Sequence, residues 1–153
     1  YATLKLTGQI PGQVKPLFSS DTTTYLDVAL KWNVRHFIVQ GEYARRSTPS
    51  QIAALTGYYG SIGWRIGKLT PIFTYAHIKT TNAHELALNP LSSELPQDQQ
   101  SYTLGLDYTL NTNLASKISV SQITPLNGTS GLFDSNPRRK HILLYGVSLD
   151  AIF

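Results

Sequence analysis

Histidine is the side chain best suited to proton transfer at neutral pH, and the chain holds four. They are His36, His77, His84 and His141. They are dispersed, and neither a Gly-x-Ser-x-Gly nor a His-Glu-x-x-His motif accompanies them. Asp134 beside Asn136 supplies two oxygen ligands, too few for a calcium site. There is no cysteine, which excludes thiolate metal sites and disulfides. We therefore expect no enzymatic activity, no metal site and no cofactor.

A second set of polar side chains recurs at every other position of segments whose remaining positions are apolar. These residues are Lys5, Asp27, Lys31, Gln40, Glu42, Arg46, Arg65, Asp107, Lys117 and Asp150. Only a strand separates alternate residues onto opposite faces, so we predict that this set shares one face of a sheet. Their signs are mixed, which fits two roles. They either line a water-filled passage or pair with one another into a structural plug.

The period of two that positions these residues extends through most of the chain. The clearest alternation covers residues 102–110, and the same signal covers 2–10, 26–34, 58–66 and 145–153. Three further strands are predicted at residues 35–46, 69–80 and 113–124, where the two faces separate less cleanly; in the segment 69–80 they cannot be assigned. A short helical turn is expected at residues 50–55. The prediction is eight antiparallel strands.

The predicted connections alternate in length. Short turns are expected at residues 33–36, 67–70 and 111–113, and long loops at residues 11–23, 47–57, 81–100 and 125–140. This asymmetry is typical of outer-membrane β-barrels, in which the short turns face the periplasm. The pairs Arg45-Arg46 and Arg138-Arg139, with Lys140, lie where long loops meet strands, at the height expected for lipopolysaccharide phosphates.

Aromatic residues are predicted to form two belts at the membrane interfaces. The belt at the short turns and the C-terminus contains Trp32, Phe37, Trp64, Tyr108 and Phe153. The belt at the long loops contains Tyr43, Tyr58, Tyr75 and Tyr102. Charged residues make up only 14% of the chain, against roughly 25% in ordinary soluble domains. The 13 basic residues are scattered rather than clustered, which argues against nucleic acid as a partner.

The last strand closes on alternate apolar residues and a terminal Phe. They are Tyr145, Val147, Leu149, Ala151 and Phe153. In this the chain resembles the bacterial outer-membrane porins, and residues 101–124 followed by 141–153 look like the last three strands of a porin. The resemblance implies that Phe153 is read by the barrel-assembly machinery. It is specific only over this C-terminal part of the chain.

These observations predict one all-β domain over residues 1–153, an antiparallel up-and-down transmembrane β-barrel or the C-terminal segment of one. The resemblance implies a channel for passive diffusion of small hydrophilic solutes in the outer membrane of a Gram-negative bacterium. Its expected partners are outer-membrane lipid, lipopolysaccharide and other barrel chains. One alternative is a closed eight-stranded outer-membrane protein with a structural, adhesion or partner-binding role. Another is a soluble lipid-binding barrel, whose apolar face would point inward.

Overall fold

The computed structural model describes residues 2–7, 12–13, 22–48, 52–88, 95–133, 137 and 140–151, the first two ranges by their backbone alone. Nine strands and one short helix make up the described elements. They are β1 (Ala2–Thr7), β2 (Gly12–Gln13), β3 (Thr22–Val34), β4 (Phe37–Ser47), β5 (Leu55–Trp64), β6 (Leu69–Thr80), α1 (Ala83–Leu88), β7 (Asp98–Asn111), β8 (Leu114–Pro125) and β9 (Ile142–Ala151). Within these residues no helix has the length and hydropathy needed to cross a membrane.

The strands form one antiparallel sheet in the order β1-β3-β4-β5-β6-β7-β8-β9, with β2 pairing the start of β3. Each long strand hydrogen-bonds to the next in sequence, as expected for an up-and-down meander. The prediction of an all-β antiparallel architecture is therefore confirmed. The predicted closure is not found: β1 and β9 are the two edges of an open sheet, and no ladder joins these described strands.

The short turns lie at one end of the sheet, which we call the short-turn end. The β3–β4 turn places Arg35 at a φ of 50°, and the turn before β6 places Gly67 at 61°. Such left-handed conformations match the twist of two-residue hairpins. In the β7–β8 turn, the Asn111 side-chain oxygen accepts a hydrogen bond from the Asn113 amide at 2.8 Å. All three turns fall within the segments predicted from the sequence.

The opposite, long-loop end carries a small apolar cluster between two loops. Ala53, Ala54 and Leu86 are the only buried apolar side chains in the part of the chain that the structure describes. Asn82 joins the two loops, because its side-chain oxygen accepts the Ala54 amide at 2.7 Å. The prediction of a helical turn at residues 50–55 is wrong over its described part: residue 52 is a bend, and the helix lies at Ala83–Leu88.

The register divides the side chains of the sheet between two faces, since directly paired residues point to the same side. One face, here called the apolar face, carries the pairs Trp32–Val39, Ile62–Phe73, Leu104–Val120 and Ile118–Val147. The other, the polar face, carries Lys31–Gln40, Thr103–Ser121 and Asp107–Lys117. The register also resolves the faces of β6. Phe73 and Tyr75 are on the apolar face, and Ile72 and Ile78 are on the polar face.

Candidate functional site

Nine of the ten side chains predicted to share a face do so, and the tenth residue, Lys5, is described by its backbone alone. Asp27, Lys31, Gln40, Glu42 and Arg46 alternate along β3 and β4 on the polar face. Asp107, Lys117 and Asp150 occupy the same face of β7, β8 and β9, and Lys5 holds the matching position on β1 opposite Ala29. Arg65 directly follows β5 and lines the same cavity as Lys31 and Lys117. The structure thus brings the nine described side chains to one side of the sheet; whether they line a pore stays a prediction.

The polar face encloses a cavity of about 300 Å³ near the short-turn end. Its lining comes from six consecutive strands and includes Lys31 of β3 and Lys117 of β8. On a flat sheet these two strands would lie about 24 Å apart, at roughly 4.8 Å per strand. The sheet therefore curls toward its polar face, which makes that face concave. Three cations, Lys31, Arg65 and Lys117, line this cavity together with the single carboxylate of Asp107.

Pairs of polar side chains bridge neighbouring strands on this face. The Lys117 ammonium lies 3.7 Å from the Asp107 carboxylate, with both side chains partly exposed. The Thr103 and Ser121 hydroxyls are hydrogen-bonded at 2.7 Å, and so are those of Ser61 and Thr74 at 2.6 Å. Glu42 and Tyr59 are directly paired across β4 and β5. These cross-strand pairs hold a hydrophilic surface in place without an apolar core beneath it.

Two glycines of the sheet lie close to side chains of neighbouring strands. A Cβ atom added at Gly105 would lie 3.6 Å from the Lys117 Cε atom, so the lysine stem runs over the bare backbone of β7. At Gly63, an added Cβ would lie 3.2 Å from the Ile72 side chain, closer than ordinary contact. Gly63 lines the cavity on the polar face, where neighbouring strands pack closely.

The apolar face is uncovered. Its side chains include Leu104 at 61%, Val147 at 83% and Leu149 at 65% exposure. No large side chain among the described residues is fully buried. A sheet with an apolar face requires something against it, and no other layer of the described chain packs there.

Eight of the nine predicted belt residues lie on this apolar face, at its two ends. Phe37 and Trp64 are paired near the short turns, with ring centroids 4.9 Å apart; Trp32 lies on the adjacent strand β3, and Tyr108 lies at the same end of β7. At the long-loop end, Tyr43 is paired with Tyr58, and Tyr75 with Tyr102. The Tyr75 and Tyr102 rings are 5.1 Å apart, and those of Tyr58 and Tyr75 are 6.1 Å apart. Phe153 lies outside the described residues.

A buried polar network at the long-loop end was not predicted from the sequence. The Asp98 carboxylate, in a residue only 4% exposed, accepts a hydrogen bond from Asn127 Nδ2 at 2.6 Å and lies 3.0 Å from His77 Nε2. The Asp98 carbonyl accepts the Thr129 hydroxyl at 2.9 Å. Beside it lies a cavity of about 670 Å³ lined by both long loops and by Lys79. The network anchors the loop after β8. In the sequence of that loop, only the Asn-Gly pair is typical of a defined turn.

The dispersed histidines do not assemble into a metal site within the described chain. No group of three or more His, Asp or Glu side chains comes together there. His141 instead lies 3.0 Å from the Thr124 hydroxyl, and His77 lies beside Asp98. The position of Asp134 and Asn136 falls outside the described residues.

Comparison of the chain with family models, with curated proteins and with solved structures yields no match in any of the three. Its class therefore follows from its own geometry. It is an all-β protein built on a single curled antiparallel sheet, with an exposed apolar face and a concave polar one.

Proposed function

We propose that this sheet forms part or all of the wall of an outer-membrane β-barrel, a porin-like channel through which small hydrophilic solutes diffuse. The observation that carries the proposal is the exposed apolar face. Residues such as Leu104, Ile118 and Val147 would be stabilised by contact with acyl chains, at about 25 cal/mol for each Å² of apolar surface removed from water. A soluble lipid-binding barrel requires the reverse arrangement, with the polar face outward and convex.

The lengths along the strands fit a membrane. The apolar faces of β3 and β7 extend over residues 26–34 and 102–110, nine residues each, and a barrel strand spans a bilayer with roughly 9–11. The two aromatic belts are separated by the same interval on three strands. Phe37 and Tyr43, Tyr58 and Trp64, and Tyr102 and Tyr108 are each six residues apart, about 20 Å along a strand.

Each aromatic belt shifts along the strands from one strand pair to the next. Strands that are tilted in a membrane require such a shift, because a fixed membrane depth then crosses successive strands at different residues. The long-loop belt contains the pair Tyr43–Tyr58, but its continuation, Tyr75–Tyr102, lies two residues nearer the short turns. The short-turn belt moves in the same direction between Trp64 and Tyr108. A drift of two residues over two or three strands corresponds to a tilt of about 25–35°, close to the roughly 35–45° of membrane barrels.

The concave polar face would then line an aqueous lumen. The charges of Lys31, Arg65 and Lys117 near the short-turn end would act on passing solutes. The second candidate, a closed eight-stranded barrel with a filled interior, is favoured by a different observation: the Lys117 ammonium pairs with the Asp107 carboxylate, as side chains in a plug would. Eight strands enclose a space that side chains alone can fill.

Conductance separates the two candidates. Protein purified in detergent and added to a planar lipid bilayer should give stable current steps if the polar face lines a channel. A filled barrel should insert without steps, which would favour the second candidate. Protein that stays in the aqueous phase without detergent would contradict both.

Fluorescence tests the membrane-facing surface by itself. The only two tryptophans, Trp32 and Trp64, both lie on the apolar face, at 46% and 52% exposure. Vesicles of brominated phospholipid should quench both strongly. The matched control replaces both tryptophans by Phe and places one indole on the polar face, as Ile72→Trp. Quenching of the control as strong as that of the native protein would show that lipid does not distinguish the faces.

A further inference from the structure

Two rows of charged side chains cross the polar face near the short-turn end. One row contains Lys31, and the other contains Arg65, Asp107 and Lys117; all four side chains line the cavity of about 300 Å³. The register gives the distance between the rows. Ser61 is level with Lys31, and Arg65 is four residues further along the chain, which corresponds to about 13 Å along a strand.

An apolar row separates the two charged rows. It contains Ile38 of β4, Gly63 of β5 and Ile72 of β6, each directly paired with the next across the sheet. All three residues line the same cavity. The surface between the cations is therefore hydrocarbon, and nothing at Gly63 stands above it.

Positive charge exceeds negative charge in this cavity. Lys31, Arg65 and Lys117 share it with the single carboxylate of Asp107, which lies 3.7 Å from Lys117. Neither Lys31 nor Arg65 forms an ion pair with any residue that the structure describes. The other described carboxylates of the polar face lie in rows outside the cavity; they are Asp27, Glu42 and Asp150. Two cations on opposite sides of an apolar row are thus left to attract a solute.

We propose that this cavity is a binding site for short aliphatic dicarboxylates. The inference rests on the proposed channel function and names the class of solute that the channel would favour. One carboxylate would contact Lys31, the other would contact Arg65, and the methylene chain between them would lie on Ile38 and Ile72. A guanidinium such as that of Arg65 can bind a carboxylate through two parallel hydrogen bonds.

The dimensions fit such a ligand. Side chains of a strand stand roughly perpendicular to the sheet, so the two cations keep about the 13 Å separation of their rows along the strands. The carboxyl carbons of extended succinate are separated by three bonds, about 4 Å. An ion-pair contact of about 4 Å at each end fills the rest of the interval. An inorganic anion would gain nothing from the apolar row and would leave one of the two cations unmatched.

Binding of succinate to the full chain in detergent micelles at low salt can be measured by saturation-transfer-difference NMR on its methylene protons. Lys31→Gln and Arg65→Gln should each weaken binding about fivefold and the double variant about 25-fold, because each change removes one exposed ion pair. Lys68→Gln removes one positive charge from the same end of the sheet outside the cavity, and this matched control should bind as the native chain does. Far-ultraviolet circular dichroism checks that each variant is folded; the side chains of Lys31 and Arg65 are exposed, so the fold should persist.

Ligand controls test recognition of both ends of the molecule. Acetate should bind at least about fivefold more weakly than succinate, because it matches one cation only, and the neutral succinamide should not bind. Acetate or succinamide binding as tightly as succinate would overturn the site. So would a double variant that binds succinate as tightly as Lys68→Gln does.

Planar-bilayer recordings on the same preparations test the channel separately. Current steps from a protein that does not bind succinate would refute the dicarboxylate site and leave the channel function in place. Succinate binding without current steps would support the site and contradict the channel function.

Discussion

An arginine placed on either face of one strand tests whether the apolar face contacts lipid or water, because only the arginine on a lipid-facing surface should lower stability strongly. Ile118 is on the apolar face of β8, between Leu106 and Val147, and is 54% exposed. Ser119, the next residue, is on the polar face between Gly105 and Gly146, where an arginine has room. The variants Ile118→Arg and Ser119→Arg therefore differ only in the face that receives the charge.

If the apolar face contacts lipid, Ile118→Arg should lower the free energy of unfolding by about 2–4 kcal/mol, because an arginine near the bilayer midplane costs that much. This corresponds to a change of about 30-fold to 900-fold in the unfolding equilibrium. If the face is in water, replacement of an already exposed side chain should change stability by about 0.5 kcal/mol or less. Ser119→Arg should have the small effect in either case.

The assay is reversible urea unfolding of protein inserted in phospholipid vesicles, followed by fluorescence of the two native tryptophans. Equal free energies for the two variants would refute the assignment of the apolar face to lipid. A large loss of unfolding free energy in Ser119→Arg with none in Ile118→Arg would show the opposite arrangement, with the polar face of the sheet in contact with lipid.

Three further expectations concern the long-loop end. Asp98→Asn should cost about 1–3 kcal/mol by leaving part of a buried network unsatisfied, with faster proteolysis after β8; an unchanged digestion rate would contradict the anchoring role. Arg46→Lys should cost about 1 kcal/mol, since a lysine cannot reproduce the two hydrogen bonds to the Ala53 carbonyl, and amide exchange in that loop should accelerate while the strands stay protected. Gly131→Ala should destabilise by about 1–2 kcal/mol, because its φ of 63° is left-handed and the new methyl meets Gln99; equal urea midpoints would contradict this.

The strand content was predictable because alternation is a local property. In residues 102–110, apolar and polar residues separate perfectly by parity, and β7 contains that segment. The two faces of β6 were not predictable from the sequence, because Ile72 and Phe73 are adjacent and both apolar. Its faces follow from pairing: Phe73 is opposite Leu104 and Ile62, while Ile72 is opposite Gly63, where an added Cβ would lie 3.2 Å from the isoleucine side chain.

Some features depend on contacts between distant residues, which no local pattern records. The helix at Ala83–Leu88 buries Leu86 at the end of the sheet where Ala53 and Ala54 are also buried, and neither loop alone shows an apolar period. The Asp98 network joins residues about 30 positions apart. Arg45 and Arg46 are adjacent in sequence, yet the pleat sends one to each face, and only the register brings Lys79 near the first.

The sequence by itself determined the long strands, their turns and, outside β6, the division of their side chains into an apolar and a polar set, because each depends on neighbours within a few residues. The tertiary structure decided the direction of the curl and the open edges at β1 and β9. It also decided which charges share a row. The curl, the open edges and the rows of charges depend on the combined twist and register of seven long strand pairings, which no single segment of the sequence contains.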